Sequence, residues 1–302
     1  RAGARAILEP LVVRMTAERD ATDRPTLLAA NLLAGVLHEL GDLEPAERLY
    51  RTAFERLVAT KGEDHPESLT VLNNLMLVQY SRGERTAMLP TLERLLAARR
   101  RVLGDDHPDT IGALNNVAGI EVGLGRFQDA AAHYREAADR ILAREGDKHP
   151  AYAAILSNLA TAEREAGEFA PALEHADRAL ALRRERLGNG HDATLLVQVL
   201  AADVRRLLGR LPEALAMFEE ARQLAGAASP PQLANLYRCE LGIGRTLTGL
   251  QRWEDAEAAL QRCRATFAAA EKAASVKGQL SSPDKDLEHL AKARTAASAS
   301  GK

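Results

Sequence analysis

A short phrase centred on histidine occurs four times along the chain at a constant spacing of 42 residues. The four histidines are His65, His107, His149 and His191, and proline follows the first three. Glycines repeat at the same spacing, and they are Gly41, Gly83, Gly125, Gly167 and Gly209. A constant period of this length is typical of a solenoid, in which each repeat packs only against its neighbours. The chain is therefore expected to offer a binding surface rather than a catalytic pocket.

Each period contains two stretches with helical periodicity, separated by the repeating glycine. In one period Pro108 begins the first helix, Gly125 forms the turn and Gly146 ends the second helix. We call the first helix of each repeat helix A and the second helix B. The pattern predicts an all-α chain built from helix-turn-helix repeats.

Helix B shows a regular order of small and large side chains, counted from the turn glycine. The fifth residues are Ala46, Met88, Ala130, Ala172 and Ala214, the ninth are Tyr50, Leu92, Tyr134, Ala176 and Phe218, and the twelfth are Ala53, Leu95, Ala137, Ala179 and Ala221. Small residues let two helices approach closely, and a large residue fills the groove between repeats. Aromatic residues make up only 4% of the chain, so alanine and leucine must build the core.

This order of side chains resembles the tetratricopeptide repeat over residues 1 to about 270. The period, with Asn-Asn in helix A and Asp-His-Pro between repeats, is similar to the kinesin light chain type of that repeat. The helix A motif stands at Leu72-Asn73-Asn74-Leu75, Leu114-Asn115-Asn116-Val117 and Leu156-Ser157-Asn158-Leu159. The resemblance implies an α-solenoid with the form of a right-handed superhelix, and a role in binding proteins. Because such repeats are also common in bacterial signalling proteins, it does not imply a motor subunit.

The phase of the repeat predicts the domain organisation. Residues 1–22 are expected to form helix B of a truncated repeat, although Pro10 disfavours an uninterrupted helix. Residues 23–272 are expected to hold about six repeats, the last with Gln251 in the place of the turn glycine. Residues 273–302 should form a capping helix, from Pro283 to about residue 297, and a flexible tail. A chain that starts within a repeat and lacks an initiator Met is expected to be a fragment of a longer protein.

Charge and motif content argue against several classes of protein. The formal net charge is −2, which gives no reason to expect binding to nucleic acid or to a membrane surface. No apolar run approaches the roughly 20 residues that span a bilayer. No catalytic motif is recognisable, so we expect no enzymatic activity and no cofactor. A cytoplasmic protein is the default expectation, because two cysteines are too few for a disulfide framework.

The repeating histidines are interpreted as structural. Successive copies should lie about 10 Å apart, the spacing of packed helices, which is too far for a shared metal ion with bonds of about 2 Å. The aspartate of the phrase is expected to cap the next helix, proline to occupy its first turn, and the imidazole to bond a loop carbonyl. The arginines at 99–101, 183, 184 and 186 are interpreted as a solvated face at the end of helix B. Cys239 and Cys263 are interpreted as buried free thiols.

The asparagines of helix A are the main candidate binding residues. In tetratricopeptide arrays helix A lines the concave groove, and a groove asparagine commonly contacts the backbone of a bound peptide. An amide side chain both donates and accepts hydrogen bonds, so it matches a peptide unit of any sequence. The resemblance assigns this role to Asn73, Asn74, Asn115, Asn116 and Asn158. The alternative is that one asparagine of each pair braces the neighbouring helix.

Other positions on helix A suggest specificity for an acidic peptide. The residues three before each turn include Tyr80, Arg164 and Arg206, and Arg238 and Arg245 lie further along the same face. Arginine favours carboxylate or phosphate groups, so the C-terminal half of the groove is predicted to be basic. The alternative is that Glu163, Glu165 or Asp203 neutralises these arginines within the groove.

Two functional hypotheses follow. The first is a non-enzymatic interaction module that holds a protein or peptide, expected to be acidic, in its groove. The second is a regulatory C-terminal region of a larger Ser/Thr protein kinase or signalling ATPase. Self-association is also possible, because a first repeat without its helix A would expose an apolar face.

Overall fold

A computed structural model describes residues 2–18, 24–272 and 280–299 of the chain. These residues form α-helices and connecting turns, and they contain no β-strand. The helices are α1 (Ala2–Glu18), α2 (Arg24–Leu40), α3 (Leu43–Lys61), α4 (Pro66–Arg82), α5 (Arg85–Leu103), α6 (Pro108–Gly123), α7 (Phe127–Glu145), α8 (Pro150–Glu165), α9 (Phe169–Leu187), α10 (Asp192–Leu207), α11 (Leu211–Ala227), α12 (Leu233–Gly249), α13 (Trp253–Lys272) and α14 (Asp284–Ala299). The prediction of an all-α solenoid is confirmed.

The helices are arranged in two compact units, residues 1–144 and residues 145–302. In the first unit each of the helices α1 to α5 packs against the next helix along the chain, so this series of contacts extends from α1 to α6. In the second unit the same succession extends from α8 to α12, and α12 packs closely against α13. Helix α14 packs against α13 and α12. Packing between neighbours in sequence is the pattern of a repeat protein.

The core positions of helix B are buried as their order of small and large side chains predicts. Ala130 and Ala137 are fully buried, and Tyr134 between them is 5% exposed. The other residues at the fifth, ninth and twelfth positions after the turns are also buried in every repeat from Gly41 to Gly209. Because alanine has no side chain beyond Cβ, the helices can approach closely at these positions. The packing order read from the sequence is therefore confirmed.

The turn between helix A and helix B requires a left-handed backbone. The repeating glycines at this turn have φ between 72° and 84°. Gln251 occupies the corresponding position between α12 and α13 and has φ 60°, although it is not glycine. A side chain in this conformation costs about 1–2 kcal/mol, because Cβ approaches the following carbonyl oxygen. This turn is therefore strained relative to the other five.

We predict that Gln251→Gly stabilises the protein by about 1 kcal/mol, because glycine relieves the left-handed strain. The reciprocal substitution Gly209→Gln should destabilise it by a similar amount, since Gly209 has φ 77°. The free energy of unfolding, measured in urea, checks both changes. Two shifts of the same sign would contradict the explanation, because only the turn conformation predicts opposite effects.

The repeating histidine, rather than the aspartate before it, caps helix A, so that part of the sequence interpretation is wrong. His65 Nδ1 accepts a hydrogen bond from Glu67 N at 3.2 Å, and His107 Nδ1 accepts one from Asp109 N at 3.2 Å. His149 and His191 make the same contact at 3.3 and 3.2 Å. The histidine has the extended backbone of an N-cap residue, and proline follows it as the first helical residue in three copies. The imidazole therefore accepts from a helix N–H group and does not donate to a loop carbonyl.

The aspartates of the phrase form ion pairs with arginines of the helix B that follows. Asp64 accepts a bidentate pair from Arg101, with Nη2 to Oδ1 at 2.6 Å and Nε to Oδ2 at 2.9 Å. Asp106 lies 2.9 Å from Arg140 Nη1. These contacts show why the aspartate is not the cap: it stands one residue too early and its carboxylate points to a neighbouring repeat.

Several arginines that the sequence suggested to be a solvated face also have specific partners. Arg100 of α5 bonds Glu136 of α7 at 2.7 Å, and Arg184 of α9 lies 3.2 Å from Glu220 of α11. Both pairs link the same two positions of consecutive helix B segments. Arg183 Nη1 donates to the carbonyl of Ala193 at 2.7 Å. These arginines connect neighbouring repeats as well as facing solvent.

We predict that His107→Ala lowers the free energy of unfolding by about 1 kcal/mol, because the N-terminal N–H group of α6 loses its acceptor. His107→Asn should lose much less, since asparagine is a favourable N-cap residue. Urea unfolding of the three proteins tests the capping role. Equal losses in the two variants would show that the imidazole ring, rather than its acceptor nitrogen, stabilises the loop.

The two ends of the chain differ in part from expectation. Pro10 lies inside α1 and does not interrupt it. Helix α14 begins at Asp284 and ends at Ala299, so it extends two residues beyond the predicted end. Its Leu290 is buried, and Tyr237 of α12 donates a hydrogen bond to the carbonyl of Ser281 just before it at 2.6 Å. Residues 19–23, 273–279 and 300–302, which include the expected flexible tail, lie outside the described residues.

Candidate functional site

An exposed stripe extends along the helix A segments of each unit. We define the exposed stripe as the positions 13, 9, 6 and 2 residues before each turn. These positions have the i, i+4, i+7 spacing of one helix face. In α6 they are Gly112, Asn116, Gly119 and Gly123, and all four are exposed. In α6 these positions are not used by the core, whereas on the same stripe Leu200 of α10 and Gly242 of α12 are buried.

Helix α6 presents almost bare backbone on the exposed stripe. A Cβ atom added at Gly112 would meet nothing within 4 Å, and one at Gly119 would approach only the Tyr134 hydroxyl, at 3.6 Å. Packing therefore does not explain why Gly112 lacks a side chain. Glycine in a helix interior costs about 1 kcal/mol relative to alanine. Asn116 stands between these two glycines, and it is one of the two asparagines of α6 that the sequence analysis assigned to the groove.

The predicted asparagines fall into two adjacent rows. Asn74, Asn116 and Asn158 lie on the exposed stripe, nine residues before their turns, and the latter two are exposed. Asn73 and Asn115 lie one residue earlier and are half-buried. Asn115 and Asn116 therefore differ in exposure, as the alternative of one bracing residue per pair would require, whereas Asn73 and Asn74 are both half-buried.

The structure brings one predicted asparagine into contact with a residue that the sequence analysis missed. Asn74 Nδ2 donates to Asn31 Oδ1 at 3.4 Å, from α4 to α2. Asn31 occupies the same repeat position as Asn73 and Asn115, so counting ten residues back from Gly41 would have found it. The contact shows that an asparagine on this face also links neighbouring repeats.

Apolar side chains dominate the exposed stripe near the start of the first unit. Leu28 is 58% exposed, Leu32 52%, Leu77 43% and Tyr80, beside the stripe, 69%. A cavity of about 480 Å³ lies beside Leu28 and is lined by residues of α2, α3 and α4. This part of helix A suits apolar contacts.

In the second unit, two of the predicted groove arginines share one carboxylate. Arg164 Nη1 lies 3.2 Å from Asp203 Oδ2, and Arg206 Nη2 lies 2.7 Å from Asp203 Oδ1. Arg164 also pairs with Glu165. All three side chains of the Arg164–Asp203–Arg206 cluster are between 20% and 25% exposed. The cluster supports the alternative that acidic neighbours neutralise these arginines.

The other two predicted arginines lie on α12 and have different partners. Arg245 forms a bidentate pair with Asp286 of α14, at 2.7 Å from Nε to Oδ1 and 3.1 Å from Nη2 to Oδ2. The hydrogen bond that Arg245 donates to Asp286 raises the pKa of Arg245. Arg238 Nη1 donates to Asn235 Oδ1 at 3.4 Å, and no carboxylate among the described residues pairs with it. Arg238 is therefore the predicted arginine whose charge is least compensated.

A protein-family model described as tetratricopeptide repeat matches residues 25–87, 77–143, 109–185 and 152–227. These matches together extend over more than half of the chain. The chain belongs to the tetratricopeptide repeat family. The resemblance to this family that the sequence motifs indicated is therefore confirmed. Members of the family are typically interaction scaffolds without catalytic activity.

Solved structures share the fold of this tetratricopeptide array at low sequence identity. A single-residue variant of the kinesin light chain TPR-like repeats of Podosopora anserina is 21% identical, with a TM-score of 0.58 over 70% of this chain and 100% of that one. BtubC (BKLC) from P. vanneervenii is 19% identical, with a TM-score of 0.60 over 76% and 92%. A signal transduction ATPase with a tetratricopeptide repeat sensor, from Pyrococcus horikoshii, is 14% identical, with a TM-score of 0.62 over 88% and 40%. No curated protein sequence matches the chain.

Buried polar pairs also accompany helix A, and the sequence analysis did not identify them. Glu163 is fully buried, with its Oε2 atom 2.7 Å from His175 Nδ1, and Glu121 has the same relation to His133 at 2.8 Å. Each histidine stands twelve residues after its glutamate, so the repeat period could have predicted both pairs. Glu163 was one of the acidic residues named as an alternative partner of the groove arginines, and its buried carboxylate contacts His175.

Both cysteines of the array are buried free thiols, as predicted. Burial raises the pKa of Cys239 and of Cys263 to about 12. In the described ranges, no three His, Cys, Asp or Glu side chains form a group that would hold a metal ion. Within the same ranges, no helix combines the length and the apolar character needed to cross a membrane.

We predict that Asp203→Asn destabilises the array by about 2 kcal/mol, because two partly buried guanidinium groups lose their shared carboxylate. Adding Arg206→Gln should recover part of the loss, since it removes one of the two like charges. The free energies of unfolding of the single and double variants give the coupling between the two residues. Strictly additive losses would mean that Asp203 does not hold Arg206 in solution.

Proposed function

We propose that the chain is a non-enzymatic scaffold that binds an extended peptide segment of a partner protein along the exposed stripe. The bare surface of α6 is the observation that supports this most directly. Gly112 and Gly119 leave the helix backbone uncovered on both sides of Asn116. A missing side chain allows another backbone to approach closely. Each of these glycines lowers the stability of the helix by about 1 kcal/mol relative to alanine, and packing does not require them. This loss of stability is consistent with selection for binding.

The chemistry of Asn116 suits recognition of a peptide backbone. Its amide group offers two donors and one acceptor oxygen, which match the C=O and N–H groups of one peptide unit. Asn74 and Asn158 occupy the same stripe position in the flanking repeats of the sequence. In this proposal Asn73 and Asn115, which are half-buried, mainly support the exposed row.

A peptide bound on the first unit is proposed to carry apolar side chains, and one bound on the second unit is proposed to have at most a limited acidic character. Leu28, Leu77 and Tyr80 offer apolar contacts in the first unit. In the second unit Asp203 and Asp286 already pair with Arg164, Arg206 and Arg245. The preference for an acidic residue therefore rests mainly on Arg238.

A selection from a library of displayed peptides, followed by affinity measurements on the selected sequence, tests this proposal. Asn116→Ala should weaken binding at least fivefold, because it removes both polar contacts to the peptide backbone. Gly112→Ala should also weaken binding at least fivefold while raising the free energy of unfolding by about 1 kcal/mol. A variant that is more stable but binds less well identifies a functional glycine.

Gly226→Ala is the matched control for this experiment. Gly226 is exposed on α11, away from the exposed stripe, and its added Cβ would make an ordinary 3.7 Å contact with Leu236. This substitution should leave the affinity unchanged. Unchanged binding in both Asn116→Ala and Gly112→Ala would rule out the stripe of α6 as the binding surface.

An alternative proposal places the same scaffold inside a larger signalling protein, as a region that recruits substrates or regulators to a Ser/Thr kinase or an ATPase. The solved ATPase from Pyrococcus horikoshii, which contains a tetratricopeptide repeat sensor, is one protein with such an arrangement. Its similarity to this chain concerns the fold alone. The gene sequence upstream of residue 1 distinguishes the alternatives, because a kinase or phosphate-loop motif would be recognisable there.

A further inference from the structure

A cavity of about 480 Å³ lies at the edge of the second unit, away from the exposed stripe. It lies between the N-terminal ends of α8 and α10 and the C-terminal end of α9. We call it the loop-edge cavity. Its apolar lining consists of Pro150, Ala153, Leu182, Leu187 and Ala193. A volume of this size, with a mainly apolar wall, is typical of sites for small molecules.

One departure from the repeat adds space to this cavity. The residue fourteen positions before the turn is large and apolar in every other repeat: Leu27, Leu69, Ile111, Leu195 and Tyr237. In this repeat the residue is Ala153, which lines the cavity. Ile111 and Leu195 are buried at the equivalent position. The smaller side chain of Ala153 therefore leaves unfilled a volume that a larger side chain occupies in those repeats.

Two cations at the cavity have no carboxylate partner among the described residues. Arg183 donates one hydrogen bond to the carbonyl of Ala193, and Arg186 is exposed beside it. Of the acidic residues in the lining, Asp147 pairs with Arg178, and the exposed Glu185 lies 4.0 Å from Lys148. Burial lowers the pKa of Arg183, as expected for a guanidinium that has lost water without gaining a counter-ion. The cavity thus combines an apolar wall with uncompensated positive charge.

We propose that the loop-edge cavity binds a small organic carboxylate, with its apolar body beside Ala153 and its carboxylate on Arg183 and Arg186. A carboxylate matches the planar, two-donor geometry of a guanidinium. An apolar body of one or two rings, or an alkyl chain of similar size, occupies the space that isoleucine fills in the preceding repeat. This site is separate from the proposed peptide-binding stripe, so either proposal stands if the other fails.

Titration with 2-naphthoate, followed by its fluorescence anisotropy and by calorimetry, tests the site. The neutral analogue 2-naphthamide has the same shape without the charge. We expect saturable binding of one 2-naphthoate per chain, at least tenfold tighter than binding of 2-naphthamide. Absence of saturable binding up to millimolar concentration, or equal affinity for the two compounds, would overturn the proposal.

Substitutions locate the binding site. Ala153→Ile introduces the residue that the preceding repeat carries at this position, and it should weaken 2-naphthoate binding at least tenfold. Ala170→Ile makes the same change at an exposed position of α9 outside the cavity lining, and it should leave binding unchanged. If Ala153→Ile binds like the unsubstituted protein, the ligand lies elsewhere and the proposal is wrong.

A second variant keeps the test independent of how well Ala153→Ile folds. Arg186→Gln changes an exposed side chain whose loss should not disturb the fold. It should weaken binding of 2-naphthoate at least threefold and leave binding of 2-naphthamide unchanged. Unaltered affinity for 2-naphthoate in this variant would contradict the role assigned to the cations of the cavity.

Discussion

The close contact of helices at alanine is the constraint on which the rest of this structure depends. Ala130, Ala137, Ala172 and Ala179 are fully buried, and a larger side chain at any of them would push the helices apart. Between Ala130 and Ala137 the larger Tyr134 then fills the groove between repeats. Because these contacts use one face of each helix, the opposite face of helix A and the loops between repeats remain for function.

The fold was predictable from the sequence because the residues that determine it recur at a constant period. The turn glycines, the alanines and the large residues of helix B recur at fixed distances, and each recurrence predicts the same local contact. The helix cap was less predictable, since the choice between Asp106 and His107 depends on the backbone of a single residue. The structure shows that His107 has the N-cap conformation and that Asp106 bonds Arg140. A sequence motif can thus be recognised correctly even when the roles predicted for its individual residues are wrong.

The candidate site was predictable in position but not in charge. Counting from the turns placed Asn116, Asn158 and the arginines on helix A, which the structure also shows. The pairing of Arg164 with Asp203 and of Arg245 with Asp286 joins residues about forty positions apart. Such pairs depend on how the side chains of neighbouring repeats meet, and a pattern along one helix does not contain that information. Counting the arginines alone therefore overestimated the positive charge of this part of helix A, because aspartates neutralise several of them.

Departures from the period are more informative about function than the period itself. Most repeat positions are fixed by packing, so a residue that breaks the pattern without a compensating contact needs another explanation. Ala153 breaks the pattern, because leucine, isoleucine or tyrosine stands at its position elsewhere. Gly112 stands where the residue type varies between repeats, and it lacks a side chain where nothing would obstruct one. By contrast, Gly242 has a structural reason, because an added Cβ would stand 2.3 Å from the ring of Phe218. The comparison separates glycines that packing requires from small residues that packing does not explain, and the latter mark the two surfaces proposed for binding.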